Sequence, residues 1–278
     1  MIYPPTPIKR EGPDCTMNIS ALSFEDRKAR QFLLVIIAVV AVCAAFFINP
    51  VAQDPQYHRF ADTETIAGVA NFWNVVSNIP FLLVGAFALW RAPTVCAGNW
   101  RIVYIVLGAG VTLVGFGSAY YHHAPSNQSL LWDRLPMTVA FMALLWLIIA
   151  DRVVAGLAQS WLWLLVGLGI GSVLYWSWTQ AHGMGDLRPY AVVQFLPLLL
   201  IPLVLGVFPC GSLDRKLILW AFAWYLLAKA LEHYDLDMMH ATGWIGGHPL
   251  KHLAAAIAVL CLVRSVPSSG PIQHPQSC

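Results

Sequence analysis

Two short stretches of this chain place ionisable and hydroxyl side chains where long apolar runs end. The first, GSAYYHHAPSNQSLLWDRLPM at 117–137, carries Ser118, His122 and Asp133. The second, GGHPLKH at 246–252, carries His248 and His252. Ionisable groups are costly to hold in lipid and default to a functional reading. His248 and His252 are spaced i, i+4, so on a helix they project from one face and can chelate one metal ion. Ser118 and His122 have the same spacing, and Asp133 follows across a short polar loop, where a helical hairpin brings it back beside His122. Three histidines, a carboxylate and a hydroxyl are the donors of a hydrolytic zinc site, in which three protein ligands leave a fourth position for water. Zinc lowers the pKa of that water to about 7. Asp133 is then the group to orient or deprotonate it, or to protonate a leaving amine. Ser118 is placed to donate to a developing oxyanion. Such a site attacks an amide or ester near a membrane interface.

The competing readings of these residues are interfacial anchoring by amphipathic histidines, a hydrogen-bond network between helices, and bis-histidine haem, which usually takes its ligands from facing helices. His123 competes with His122, and the i, i+4 relation to Ser118 favours His122. His58 and His182 read as structural. Lys229, Glu232, Asp235 and Asp237 crowd one helix end. They form either an outer layer around the metal or a solvated terminus, with Lys229 able to reach Glu232 or His233. Asn71, Asn74, Ser77 and Asn78 open another apolar run. Helix–helix hydrogen bonding is the default there, and a cation site with Asp62 or Glu64 the sharper option.

The elements that position these groups are membrane helices. The chain has 278 residues, 58% hydrophobic and 11% charged, against about 25% charged for a soluble domain. Its mean hydropathy is +0.64. A net charge of +2 gives no footing for nucleic acid. The six cysteines, Cys15, Cys43, Cys96, Cys210, Cys261 and Cys278, are dispersed and suggest neither a disulfide framework nor a metal site. Apolar runs of about the length that spans a bilayer lie at 32–48, 72–90, 102–122, 135–150, 153–178, 191–208, 217–233 and 247–263, the last short and histidine-bearing at its start. This predicts an all-α polytopic bundle, since helices satisfy their backbone within lipid. With eight spans the termini share one side, which holds eleven Lys and Arg against four on the other. Positive-inside then places both termini in the cytoplasm and the histidines toward the opposite face. Gly108, Gly110, Gly115, Gly117, Gly167, Gly169 and Gly171 are expected at close helix contacts. Pro197 and Pro202 are expected to kink their helix and open a cavity.

With these residues in place, the chain resembles the alkaline ceramidase family. That family belongs to a wider group of seven-helix membrane hydrolases that includes the progestin and adipoQ receptors. The likeness rests on Ser118-x-x-x-His122, Asp133 within WDRLPM, His248-x-x-x-His252 and the phrase FWNVVSN at 72–78, and covers about 57–264 in patches. It implies a zinc amidase that cleaves ceramide, a membrane lipid amide, to a sphingoid base and a fatty acid. By the same likeness His122, His248 and His252 are the metal ligands, with Ser118 and Asp133 assisting. Animal members bind calcium through an acidic residue before FWN and an acidic, Trp-containing motif upstream. Here Asn71 and FADTET stand in those places, which argues against calcium. The implied layout is a tail at 1–30, an extra helix at 31–49, a seven-helix domain at 50–264 and a tail at 265–278. The extra helix is similar to that of a bacterial member, which suggests a bacterial cytoplasmic membrane and a lipid amide other than a eukaryotic ceramide. The alternatives are a non-enzymatic seven-helix lipid receptor or sensor and a histidine-containing metal or proton transporter. Protein partners are not indicated.

Overall fold

The computed structural model describes residues 24–95 and 98–268. Expectations attached to Cys15, Cys96, Cys278, Lys9 and Arg10, and to most of both tails, lie outside those residues. The described chain is a bundle of helices: α1 (Phe24–Phe47), α2 (Phe72–Val76), α3 (Ile79–Arg91), α4 (Asn99–His123), α5 (Asn127–Arg152), α6 (Ser160–Ala181), α7 (Arg188–Val207), α8 (Arg215–His233), α9 (Asp235–Thr242) and α10 (Gly247–Ser265). The all-α polytopic architecture is as predicted. Among the described residues, six segments are long and apolar enough to cross a membrane. The α9–α10 pair, bent by 110°, makes a seventh when it is counted as one span. Helix α8 has the length, but Arg215 and Lys216 at one end and Lys229 and Glu232 at the other lower its hydropathy.

Two predicted spans differ in detail. The run at 72–90 is broken between α2 and α3, where Ser77 and Asn78 turn inward and are buried. The run at 153–178 becomes helical only at Ser160, because a turn that includes Gly156 at φ 73° occupies its start. Other termini follow their capping chemistry. Ser126 and Ser129 form a reciprocal capping box that starts α5. The Asp214 carboxylate accepts from Lys216 N and Leu217 N to start α8.

Helix α4 lies between α3 and α5 and carries two of the candidate site residues, so its fit matters most. A Cβ at Gly117 would overlap the Trp132 carbonyl. Only glycine lets α4 approach α5 closely enough to bring Ser118 and Asp133 to one cavity. The expectation for α6 is corrected: Gly169 packs on Thr138 and Met142, but Gly167 and Gly171 have no neighbour within 4 Å and sit on the exposed side. Helix α1 is peripheral. It packs on α7, and its apolar side chains are largely exposed, as suits a helix facing lipid.

Candidate metal centre

The site is assembled at one end of the bundle, from the last turn of α4 and the first turns of α10. His122, His248 and His252 are buried, and one nitrogen from each lies within 4.8 Å of the others. His122 Nε2 and His248 Nε2 are 3.3 Å apart. Two nitrogens on one tetrahedral zinc, each bound at 2.0–2.1 Å, are separated by roughly 3.3 Å. His123 is exposed, so the choice of His122 agrees with the geometry.

The surrounding contacts orient the imidazoles. Ser77 Oγ lies 2.7 Å from His252 Nδ1, which leaves Nε2 of that ring for the shared centre. Phe60 sits edge-on against His122 and His248, with ring centroids 4.6 and 4.5 Å away. The Asn71 amide donates to the His122 carbonyl at 2.8 Å. Asp235 ties the start of α10 to the loop before α2: Oδ1 accepts from His248 N at 2.8 Å and Oδ2 from Ala61 N at 2.9 Å. His122 Nδ1 is buried with no hydrogen-bond partner. Three buried imidazoles converging on one point, without a carboxylate among them, are a donor set that fits a divalent transition metal.

Ser118, Asp133 and His252 line one cavity of about 200 Å³. The cavity follows α10 from His252 to Leu262, ten residues and therefore about 15 Å, half the thickness of a bilayer core. Most of its wall is apolar. Pro197 of α7 lines it, while α7 remains helical through both prolines. Behind Asp133, the Arg134 guanidinium is buried over the Trp176 and Tyr190 rings at 4.4 and 4.6 Å and donates to Gln53 Oε1 at 2.6 Å.

The remaining expectations separate clearly. Lys229 pairs with Glu232 at 2.6 Å, and Glu232 reaches across to Lys251 at 2.5 Å. Lys229 and Glu232 at the end of α8 line the cavity, whereas Asp237 of α9 is exposed. Asp62 is fully buried and accepts from Asn74 N and Glu64 N. His58 bonds Tyr121 and Asn127, and His182 bonds the Trp178 carbonyl; neither belongs to the histidine cluster. Phe60 had no sequence signal. Ser77 and Asp235 lay inside polar groups already noted, but nothing in the spacing gave either its contact to a histidine.

A family model described as Ceramidase matches residues 61–200, just over half of the chain. Ser118, His122 and Asp133 lie within the match, while His248 and His252 lie beyond it and join them through the fold. No curated protein matches the chain. The chain belongs to the ceramidase family, and with its apolar helices it is a multi-pass membrane protein of a family of amide hydrolases.

Proposed function

Proceeding from that membership, we propose that this protein is a zinc-dependent membrane amidase cleaving ceramide or a ceramide-like N-acyl lipid to a sphingoid base and a fatty acid. The observation that carries the reading is the convergence of three buried imidazoles beside a cavity that also presents Ser118 and Asp133. His122, His248 and His252 are the residues that would hold the ion, which when bound supplies a Lewis acid for the amide carbonyl and an acidified water. Asp133 takes a proton from the attacking water and delivers it to the departing nitrogen as the C–N bond breaks. Ser118 donates to the carbonyl oxygen as that oxygen gains negative charge. The apolar wall along α10 receives the acyl chain and excludes bulk water, which strengthens both interactions.

The test is hydrolysis of a panel of N-acyl sphingoid bases by purified protein of known metal content. His248→Ala is expected to lose both the metal and the activity. Equal hydrolysis by metal-free protein would sink the mechanism.

The excess of Lys and Arg on the side of the termini supports an orientation with both termini cytoplasmic and the histidines toward the opposite face. The extra helix α1 supports a bacterial cytoplasmic membrane. A terminal tag cleaved by an impermeant protease on intact cells would contradict the orientation.

A further inference from the structure

The cavity wall is not uniformly apolar. One corner carries Tyr225, Lys229 and Glu232 from α8 and Lys251 from α10. The three α8 residues are spaced by four and three, so they share a face. The corner adjoins the metal centre, because Lys251 immediately precedes His252. The Lys251 and Glu232 side chains are 19% and 22% exposed, and Lys229, at the rim, 39%.

An inventory of donors and acceptors shows what this corner lacks. An ammonium has three N–H donors. Among the described residues, Lys251 and Lys229 each bond only Glu232, one on each carboxylate oxygen. Four ammonium N–H groups therefore remain. The Tyr225 hydroxyl is buried and has no partner. Glu232 has both oxygens engaged, and the other carboxylate on the cavity, Asp133, is near enough to Lys251 for their charges to attract. The corner is thus richer in donors than in acceptors, with Lys251 and Lys229 set against Glu232 and, across the cavity, Asp133. Buried ammonium groups in a membrane protein are costly and are kept where they have a partner or a ligand.

We propose that Lys251, Lys229 and Tyr225 form a subsite for an anionic oxygen group, a carboxylate, on an acyl lipid. The inference rests on the amidase reading for its location beside the scissile bond. Two sources of the carboxylate share this chemistry: an acidic headgroup next to the amide of the substrate, and the fatty acid released by hydrolysis. Glu232 is the positioning residue, since it holds both ammonium groups in place from one side.

Binding without turnover tests this directly. Purified protein in micelles is titrated calorimetrically with N-palmitoylglycine and its neutral counterpart N-palmitoylethanolamine, and separately with palmitate and hexadecanol. The wild type is expected to bind the charged member of at least one pair about tenfold more tightly, the scale of one charge-assisted hydrogen bond. Preference within the first pair identifies the headgroup, and within the second pair alone the released acid. Lys251→Arg should keep the preference. The double variant Lys251→Met/Glu232→Gln, which removes the Lys251–Glu232 pair together and leaves Lys229 at the more exposed rim, should lower it at least fivefold. Equal affinities within both pairs, or an unchanged preference in the double variant, overturns the subsite. Hydrolysis of neutral ceramide without any charge preference would leave the amidase reading intact. Charge-selective binding with no hydrolysis of any amide would leave the subsite and remove the enzyme.

Discussion

The two ends of the bundle both bury polar side chains, and they use them in opposite ways. At the end holding the start of α1 and the end of α10, guanidinium groups close the carbonyl termini of helices. Arg91 donates to the Val263 and Val266 carbonyls at 2.7 and 2.6 Å. Arg152 donates to the Pro209 and Leu213 carbonyls at 2.7 and 2.9 Å, and Arg30 to the Val207 carbonyl at 2.7 Å. Arg91 and Arg30 answer carbonyls at the negative ends of α10 and α7, while Arg152 ties down the loop between α7 and α8. At the histidine end more buried polar atoms are left over: His122 Nδ1, both amide atoms of Asn74, Asn78 Oδ1 and the Tyr225 hydroxyl lack hydrogen-bond partners, against Arg101 Nε at the other end. Most buried polar groups in a folded chain are satisfied. Leftover groups gathered around the histidines, with Tyr225 on the cavity wall, mark the end that receives something from outside the chain.

The sharpest way to break the contrast is Asp133→Asn. It should lower kcat by roughly 10²–10⁴-fold, the range of general acid–base catalysis, with metal content and Tm near wild type. Full activity would return Asp133 to a structural role. Ser77→Ala comes next. Losing the contact to His252 Nδ1 should weaken metal binding by about 10–100-fold in a chelator competition, and unchanged affinity would reduce Ser77 to a helix contact. At the other end, Arg91→Met should destabilise the bundle by about 1.5–3 kcal/mol in denaturant unfolding. Its metal stoichiometry and kcat per folded molecule should not change; altered metal affinity would blur the two ends into one.

The smallest effect is expected at Asp186, in the loop before α7. Hydrogen bonding from the Arg188 side chain holds its carboxyl below the usual value of 3.8. A carboxyl lowered on folding stabilises the native state above its unfolded pKa, and that contribution disappears as pH falls through the folded one. Wild-type Tm should therefore decline below about pH 4 more steeply than that of Asp186→Asn. Parallel profiles would show that the pair contributes nothing.

Much of the histidine end was legible in the chain because helical period fixes a face. The i, i+4 spacings of His248 with His252 and of Ser118 with His122 needed only a helix to become geometry. What stayed hidden depends on breaks and on partners distant in sequence. The contact from Asp235 to His248 N requires the 110° bend between α9 and α10, which no periodicity announces. Ser77 meets His252 across 175 residues, and only the break between α2 and α3 turns it inward. The α6 glycines teach the same lesson from the other side. Spacing cannot say which face of an apolar helix meets lipid, so Gly169 and its neighbours looked alike. The Lys251–Glu232 pair joins two helices whose registry the sequence does not contain.

The central claim is that the three histidines hold a metal that the amide hydrolysis needs. The direct measurement is ceramide hydrolysis by one purified sample assayed as isolated, after chelation and after zinc is restored, with metal content determined at each stage. The expected result is about one ion per chain, activity that disappears with the ion and returns with zinc, and no recovery in His252→Ala. Undiminished hydrolysis by the metal-free protein would contradict the account.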